Sequence, residues 1–572
     1  MKDKLILTCI IFLTVTAMVA SSAFAANKAV QPPNSDQPDS RAPIVNNDPR
    51  GDVLDSPGIM VGTTYYEYQT NGVTGNRVNR DPLGGTHFCW TNGAGQVSGN
   101  RHVSYNFLDT EGNLGFGDVG TYVNSVQGAG FTNLDAFDEG NAAVTFHCEA
   151  NLLLTLGVDA FQGAGLFSLY DPPDNYPGSP DPYWPYITID LQQRVHLTAR
   201  ANGVPEYAFY TRSDDGGENW LDLEVVDTLG QVGIIPVSSH VSDRVSIIYL
   251  KGTPEEPTIG DVIYIESMDG ATWDFSESNK NNITNYSPDD TIRSWLDYDG
   301  VYDFDDSLHI IWNTPYYEDG GIYVNSWIWH WSKATGINLV ASGDWNCFPG
   351  AANLTLSKPS IAVDHNNNLF VLWSQFDDVD VSSGGFSNGE LYACASTDGG
   401  VSWSTPVNLT ETPTPGCLPG DCESDHWSSM AEIVDDDLLI LYINDKDAGA
   451  AVRDEGAATN NPVLYLAYPR ENLVPASVDE QADLPQETEL LFNYPNPFNA
   501  STKIEFNLPT RAQTRLEIYN ILGKSVEVLI DEHLAAGKHS VKWDASDYTS
   551  GVYFYRLETE RISETRRMVL LK

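Results

Sequence analysis

Basic residues are scarce in this chain: 31 lysines and arginines stand against 79 aspartates and glutamates, a formal net charge of −48 over 572 residues. That balance repels phosphate backbones and anionic headgroups, so nucleic acid and membrane surfaces are excluded as main partners. Long apolar runs are missing after residue 25; nothing there approaches the ~18 residues of a spanning helix, and no transmembrane segment is expected. Also absent are a Walker loop, a Rossmann glycine pattern, H-E-x-x-H, any short-spaced histidine pair with metal geometry, and any long amphipathic helix. What is present is apolar weight. With 41% hydrophobic residues and 14 tryptophans the chain is no disordered polymer, and its length predicts several domains.

Residues 1–25 read as an export signal. Lys2 and Lys4 precede an apolar run from Leu5 to Val19, and Ala23-Phe24-Ala25 gives the small-x-small pattern of a cleavage site between Ala25 and Ala26. Residues 26–51, rich in Pro, Asn and Asp, form a flexible leader. A second boundary lies in the charge. From Glu487 to Lys572 there are 11 basic and 12 acidic residues, whereas Ala26 to Gln486 holds 18 basic and 66 acidic. The chain thus divides into a body at 52–474, a polar, proline-bearing linker at 475–486 and a terminal domain at 487–572.

The body repeats. In Ile361-Ala-Val-Asp364-His-Asn-Asn-Asn-Leu369-Phe-Val-Leu-Trp373 an apolar segment, a polar turn and a second apolar segment spell a β-hairpin. The same register recurs at Asp81/Thr86/Trp90, Asp138/Ala143/His147, Asp190/Val195/Ala199 and Asp303/Leu308/Trp312, and without the aspartate at His240/Val245/Tyr249 and Ile433/Leu438/Tyr442. The seven hairpins are spaced by 57, 52, 50, 63, 61 and 69 residues, with room for two more strands in each interval. Four strands per unit, radially repeated, predict an all-β fold: a seven-bladed β-propeller. An early strand at Thr63–Gln69 is expected to join Val463–Ala467 and close the ring.

Three intervals carry a further landmark: Ser213, Asp215, Gly217 and Trp220; Ser396, Asp398, Gly400 and Trp403; and, one residue shorter, Ser267, Asp269 and Trp273. These strings resemble the Asp-box, or BNR repeat, of sialidase-like propellers, where the box forms the turn between a blade's third and fourth strands. The resemblance implies a fold-forming role. An aspartate can accept amides of its own turn, glycine permits positive φ, and tryptophan packs the turn against the blade.

Sialidase activity is not implied. Enzymes of that family hold the substrate carboxylate with three arginines, one in an F/Y-R-I-P motif, and use a Tyr/Glu pair with an Asp. Here the nearest string, Gly233-Ile-Ile-Pro236, lacks the arginine, and arginines of the body are few and scattered. Gly385-Phe-Ser387-Asn-Gly389 spells G-x-S-x-G in a Ser/Gly-rich loop rather than a strand-to-helix elbow, and reads as chance.

Two acidic runs, Asp297/Asp299/Asp303/Asp305/Asp306 and Asp435-Asp436-Asp437, offer hard oxygens suited to Ca²⁺, although EF-hand spacing is absent and solvated turns explain them better. Calcium is the only cofactor the sequence suggests. Of seven cysteines, Cys9 lies in the signal. Among the other six, Cys417 and Cys422 flank a short turn-rich loop, and Cys89 and Cys148 adjoin the ends of neighbouring hairpins; both pairs are disulfide candidates.

In the terminal domain, Asn493-Tyr-Pro-Asn-Pro-Phe-Asn499, Thr502–Phe506, Leu516–Gly523, Ala536–Trp543, Ser550–Tyr555 and Met568–Lys572 resemble the type A sorting domain of the type IX secretion system. Independently, short alternating strands broken by Pro, Asn and Gly predict a small immunoglobulin-like β-sandwich. The resemblance implies an address: passage through the periplasm to the cell surface or medium, with the secretion machinery as partner. For the body two readings stand. One is a binding or adhesion module for an extracellular glycan, protein or surface, which is favoured; the other is a glycoside hydrolase or lyase acting on extracellular polysaccharide, with a purely structural coat component as the remainder. A propeller fold alone does not choose between them.

Overall fold

The computed structural model describes residues 55–571 except 71, 94–100, 125–127, 149–152, 204–205, 229–232, 253–259, 288, 319–320, 351–352, 475–488, 491–492, 494–495, 497, 509–511, 535–536, 547 and 560–562. The expected cleavage site at Ala25–Ala26 and the linker at 475–486 lie outside the described residues. Two compact units, Met1–Val474 and Pro475–Lys572, divide the chain.

Among the described residues no α-helix occurs, and the first unit is an array of small antiparallel sheets of the kind from which propellers are built. Numbered in chain order by their first strands, these begin at Val78–Arg80, Ala129–Ala136, Pro182–Ile189, Ile235–Ser238, Tyr298–Tyr302, Leu356–Asp364 and Ser424–Met430. Each first strand pairs with a second strand across a turn: Thr86–Gly93, Ala142–Cys148, Val195–Ala201, Val245–Gly252, Leu308–Glu318, Leu369–Val381 and Asp437–Asp445. Trp90, His147, Ala199, Tyr249, Trp312, Trp373 and Tyr442 therefore occupy matching places on second strands, and all are buried. Burying such a ring removes roughly 1.5–3 kcal/mol worth of apolar surface per large side chain from water, which explains the register visible in the sequence.

The turns are held by carboxylates. Asp81 Oδ1 accepts the amides of Leu83 and Gly85, Asp190 those of Gln192 and Arg194, Asp303 those of Asp305 and Ser307, and Asp364 those of Asn366 and Asn368. Asp138 sits in the corresponding turn of sheet 2, and there the amide of Asp138 donates to Gln193 Oε1 at 2.8 Å.

Successive first strands touch one another, and Ser424–Met430 of sheet 7 returns to Val78–Arg80 of sheet 1. Sheet 7 takes its fourth strand from the start of the chain: Ile59–Thr64 runs antiparallel to Asn461–Pro469, with Thr63 opposite Pro462. The expected strand at Thr63–Gln69 is thus displaced. It ends at Thr64 because the next residues turn away into the centre, where Tyr66, Glu67, Tyr68 and Gln69 are buried. Residues 65–76 cross the middle of the array. Gln69 exchanges hydrogen bonds with Thr91 of sheet 1, the Val73 carbonyl accepts Tyr186 Oη of sheet 3 at 2.7 Å, the Gly75 carbonyl accepts Ser429 Oγ of sheet 7, and the Asn76 carbonyl accepts the Leu134 amide of sheet 2. Gly75 is obligatory there: its φ is 64°, and a Cβ would lie 1.6 Å from Asn133 Oδ1.

The second unit has two antiparallel sheets. One orders Glu489–Leu490, Ser501–Leu508 and Gly537–Asp544; the other orders Ser525–Leu534, Ala512–Asn520, Gly551–Thr559 and Ser563–Leu570. Their shared core contains Phe498, Ile504, Phe506, Leu516, Ile518, Trp543, Tyr555 and Met568.

Candidate functional site

The S-x-D-x-G-x-x-W strings sit where third strands end. Ser213 closes Tyr207–Ser213, Ser267 closes Gly260–Ser267 and Ser396 closes Ser387–Ser396. In the first, Ser213 Oγ donates to Asp215 Oδ1 at 2.9 Å and accepts the Gly217 amide, while Asp215 accepts the Asn219 amide and Trp220 Nε1 donates to the Gly217 carbonyl. Ser396, Asp398 and Gly400 repeat this geometry, and Asp398 adds the amides of Val401 and Ser402; Trp403 packs on the adjoining core. Asp269 accepts the amides of Ala271 and Thr272 and the Ser267 hydroxyl, beside Trp273. All three carboxylates are surface-exposed and directed into their own turns.

Cys417 and Cys422 are joined by a disulfide. The expected Cys89–Cys148 bridge does not form. Cys89 is a buried thiol that receives Thr132 Oγ1 at 3.5 Å, and the strand Ala129–Ala136, which carries Thr132 and pairs with Cys148 through Ala129, stands between the two. The acidic runs do not converge. Asp297 is salt-bridged to Lys358, Asp299 accepts the Gly300 and Ile361 amides, Asp303 faces His309, and Asp306 accepts the hydroxyls of Ser239 and Ser242. Asp435 meets Arg80 and His365, whereas Asp305 and Asp436 are exposed. Among the described residues no group of three or more His, Cys, Asp and Glu side chains is placed to hold a metal ion.

A different constellation emerges at the centre. Four first strands carry the same one-residue bulge: between Gly130 and Asn133, Tyr183 and Tyr186, Ser357 and Ser360, and His426 and Ser429. Inside each bulge one non-glycine residue adopts left-handed backbone: Phe131 (φ 54°), Trp184 (53°), Lys358 (55°) and Trp427 (54°). Such a conformation costs about 1–2 kcal/mol per residue and re-aims the side chain. Four repetitions of it with aromatic and cationic residues mark a constructed site.

These side chains meet residues 65–76. Phe131 and Trp427 belong to one core cluster with Tyr66 and Tyr68, and half-buried Trp184 packs against it. Tyr68 lies 5.0 Å from the Trp427 ring, and Lys358 Nζ stands 5.0 Å over that ring. Arg101 is 5.0 Å from both the Tyr66 and Phe131 rings, and Arg453 is 5.2 Å from Tyr68. His147 stacks on Tyr183 at 3.7 Å and adjoins Phe131. In a chain this acidic, buried Arg101 and Lys358 both stand beside aromatic rings at the centre.

The electrostatics are unusual. Lys358 Nζ is 2.6 Å from Asp297 Oδ1, both nearly inaccessible to solvent. Arg77, 1% exposed, donates to the Trp427 carbonyl and to Gln69 Oε1. Burial pulls its guanidinium down to about 10. Its Nε, the Trp427 Nε1 and both His426 nitrogens have no hydrogen-bond partner among the described residues. Burial, helped by Asp445, lifts Glu67 to about 7; burial, with Asp447 adding to it, lifts Asp445 to about 8; and burial lowers His426 to about 3. Near neutral pH the imidazole is neutral, Asp445 holds its proton and Glu67 titrates. The centre thus gathers aromatic rings, fixed cations and a carboxyl poised to exchange a proton, all of them buried except half-buried Trp184 and Arg453.

Sequence reading did not find these residues. Two of the four bulges carry a signal, Trp184-Pro185 and Lys358-Pro359, since proline within a strand pattern marks a bulge. Phe131 and Trp427 carry none.

Fold and site define an all-β protein of propeller type, and comparison with known proteins adds that it is exported and by what route. Residues 493–571 match the secretion system C-terminal sorting domain family. That segment is a type IX sorting domain, and the protein travels to the cell surface or the medium; no described helix is long and apolar enough to cross a membrane. No curated protein sequence matches the chain. Among solved structures it is similar to the intramolecular trans-sialidase of Ruminococcus gnavus (12% identity, 73% of this chain and 98% of that chain, TM-score 0.36). It is also similar to an α-L-arabinofuranosidase of Fusarium graminearum (11%, 64% and 100%, TM-score 0.36) and to the Aleuria aurantia lectin (10%, 60% and 97%, TM-score 0.32).

Proposed function

We propose that this protein is a secreted or surface-displayed seven-bladed β-propeller that binds an extracellular glycan at the centre of the ring. In this reading residues 1–25 are a cleaved signal, 26–51 a leader, 52–474 the propeller, 475–486 a linker and 487–572 an immunoglobulin-like sorting domain. The turns at Asp215, Asp269 and Asp398 are Asp-boxes with a fold-forming role. One observation carries the binding proposal: Phe131, Trp184, Lys358 and Trp427 are held in left-handed bulges of four different sheets, with Phe131, Trp184 and Trp427 packed in one cluster with Tyr66 and Tyr68 and Lys358 over the Trp427 ring. Sugar rings present C–H faces that pack on aromatics and hydroxyls that accept from cations and indole N–H groups, as recurs in apolar sites with a few convergent polar groups.

The test is a polysaccharide and oligosaccharide panel screened with the purified full-length protein and with Trp184→Ala, the accessible member of the group. Binding by the wild type and its loss in a variant of unchanged melting temperature supports the reading. Equal binding by both proteins sinks it.

A second reading, a glycoside hydrolase or lyase, is supported by Glu67 and Asp445, two buried carboxyls whose environments raise them toward neutrality. Release of sugar products by the wild type and not by Glu67→Gln would favour it over binding alone.

A further inference from the structure

We infer that the hairpin tip at Ile521–Leu522 of the terminal unit is the plug by which this sorting domain docks into an apolar pocket on a protein of the export machinery. Ile521 is 70% exposed and Leu522 88% exposed, the highest value among the exposed large hydrophobic residues described. They lie at the tip between the strands Ala512–Asn520 and Ser525–Leu534. Turn tips favour polar residues, and two adjacent aliphatic side chains in water have no folding rationale here.

The tip is also rigid. Asn520 Oδ1 accepts the amides of Leu522 at 3.0 Å and Lys524 at 3.1 Å, the Asn520 amide donates to the Lys524 carbonyl, and the Gly523 amide returns to the Asn520 carbonyl. Gly523 supplies the left-handed backbone this requires, at φ 73°. Four hydrogen bonds therefore fix the loop, so presenting the two side chains costs little ordering entropy on binding.

Nearby surface is guarded in the opposite way. Ser525–Leu534 is the edge strand of its sheet, and its pairing is broken by two bulges, between Leu516 and Glu517 and between Ile518 and Tyr519. It also carries the exposed Asp531. Bulges and charge are how edges are protected against casual association. Val528, 42% exposed on that strand, and Leu571, 55% exposed, stand singly, whereas Ile521 and Leu522 are adjacent and more exposed than either.

The occupant follows from the identity of the segment. Residues 493–571 are a sorting domain, whose partner is the secretion apparatus, and the tip falls inside the matched stretch. An aliphatic pair fits a preformed apolar pocket, the kind of central anchor that carries most of an interface's energy.

The experiment expresses full-length protein carrying Ile521→Ser with Leu522→Ser, and separately Leu522→Ser alone, in a host with type IX secretion. Surface, medium and periplasmic fractions are compared. The exported fraction is expected to fall about tenfold or more for the double variant and measurably for the single one, with melting curves of the purified proteins unchanged and export restored by Leu522→Met. Wild-type export of both variants overturns the proposal, as does loss of export only where the terminal unit no longer melts cooperatively. Two other occupants have their own signatures. A wild type that self-associates, or that binds vesicles of phosphatidylethanolamine and phosphatidylglycerol, when the double variant does neither, overturns it as well.

Discussion

His196 Nε2 lies 2.9 Å from Oδ2 of Asp190, six residues earlier, and its Nδ1 lies 2.8 Å from Tyr210 Oη on the next strand. Sheet 1 repeats the arrangement with Asp81, His87 and Tyr105 at 2.8 and 2.7 Å; sheet 5 does so with Asp303, His309 and His330 at 3.2 and 2.9 Å. Each histidine is buried, and each carboxylate also caps the turn. These relays tie the first turn of each sheet to its second and third strands through side chains.

Removing the Asp190 carboxylate leaves a buried imidazole nitrogen, Arg194 and two turn amides short of a partner, so Asp190→Ala is expected to cost about 2–4 kcal/mol. Chemical unfolding of the two proteins measures it. Burial alone would raise Asp190, but hydrogen bonds from His196 and Arg194 outweigh it and hold the group at about 2. A carboxyl depressed on folding stabilises above its unfolded pKa and loses that contribution as pH falls through the folded one. The difference between wild type and Asp190→Asn should therefore be constant above pH ~4 and shrink toward pH ~2.

Other carboxyls bend stability in the opposite direction. Burial lifts Glu390 to about 8, with Asp425 adding to it, and lifts Asp425 itself to about 7. A raised folded pKa means stability that is complete below the unfolded value and declines as pH rises to the folded one. The melting temperature should accordingly drop between pH ~5 and ~8, and Glu390→Gln with Asp425→Asn should flatten that slope. A melting curve that climbs over this range would contradict the assignment.

Asp297→Ala strands the Lys358 ammonium in the interior and is expected to cost about 3–5 kcal/mol, whereas Asp297→Ala with Lys358→Met should cost clearly less than the sum of the two single changes. A double-mutant cycle in urea reads the coupling directly.

Asp398→Ala behaves differently, because the Val401 and Ser402 amides it caps are exposed and can turn to water. A loss of about 1 kcal/mol is expected, with the binding proposed for the centre of the first unit unchanged. Lost affinity at an unchanged melting temperature would give Asp398 a role in binding.

A chain ending at Val474 should fold and stay in the periplasm, since the sorting segment 493–571 is gone while the sheets of the first unit remain. Fractionation with protease challenge decides this. Export of the shortened chain would show that the terminal segment is dispensable.

Much of this architecture was legible because one buried position repeats. Trp373 and its six counterparts all face the interior of second strands, and burial of a large side chain constrains sequence strongly. The aspartate turns were visible for the same reason. The histidines at 87, 196 and 309 also stood in plain sight, each six residues after a turn aspartate, but their value lies in a third residue on another strand, which no local pattern displays. The centre was hidden for a further reason. Tyr65-Tyr-Glu-Tyr-Gln69 has the composition of a strand, and only the ring's interior, assembled from several sheets, converts it into a buried crossing. Cys89 and Cys148 were misjudged because adjacency to hairpin ends says nothing about an intervening strand.

Ile59–Thr64 pairs with Asn461–Pro469, about four hundred residues away along the chain. Sheets 1 to 5 can be completed from their own segments as they emerge, the sixth adds only the short parallel strand Ile433–Val434 from the segment of the seventh, and the seventh waits for both ends of the body. Pairing at such separation carries a heavy loop-closure penalty and forms late. Until that moment residues 65–76 have no cavity to cross, and Arg77, Lys358 and Trp427 have no shared interior. Synthesis order is thus inverted at this sheet: the first described strand of the body, Ile59–Thr64, waits for a partner made about four hundred residues later.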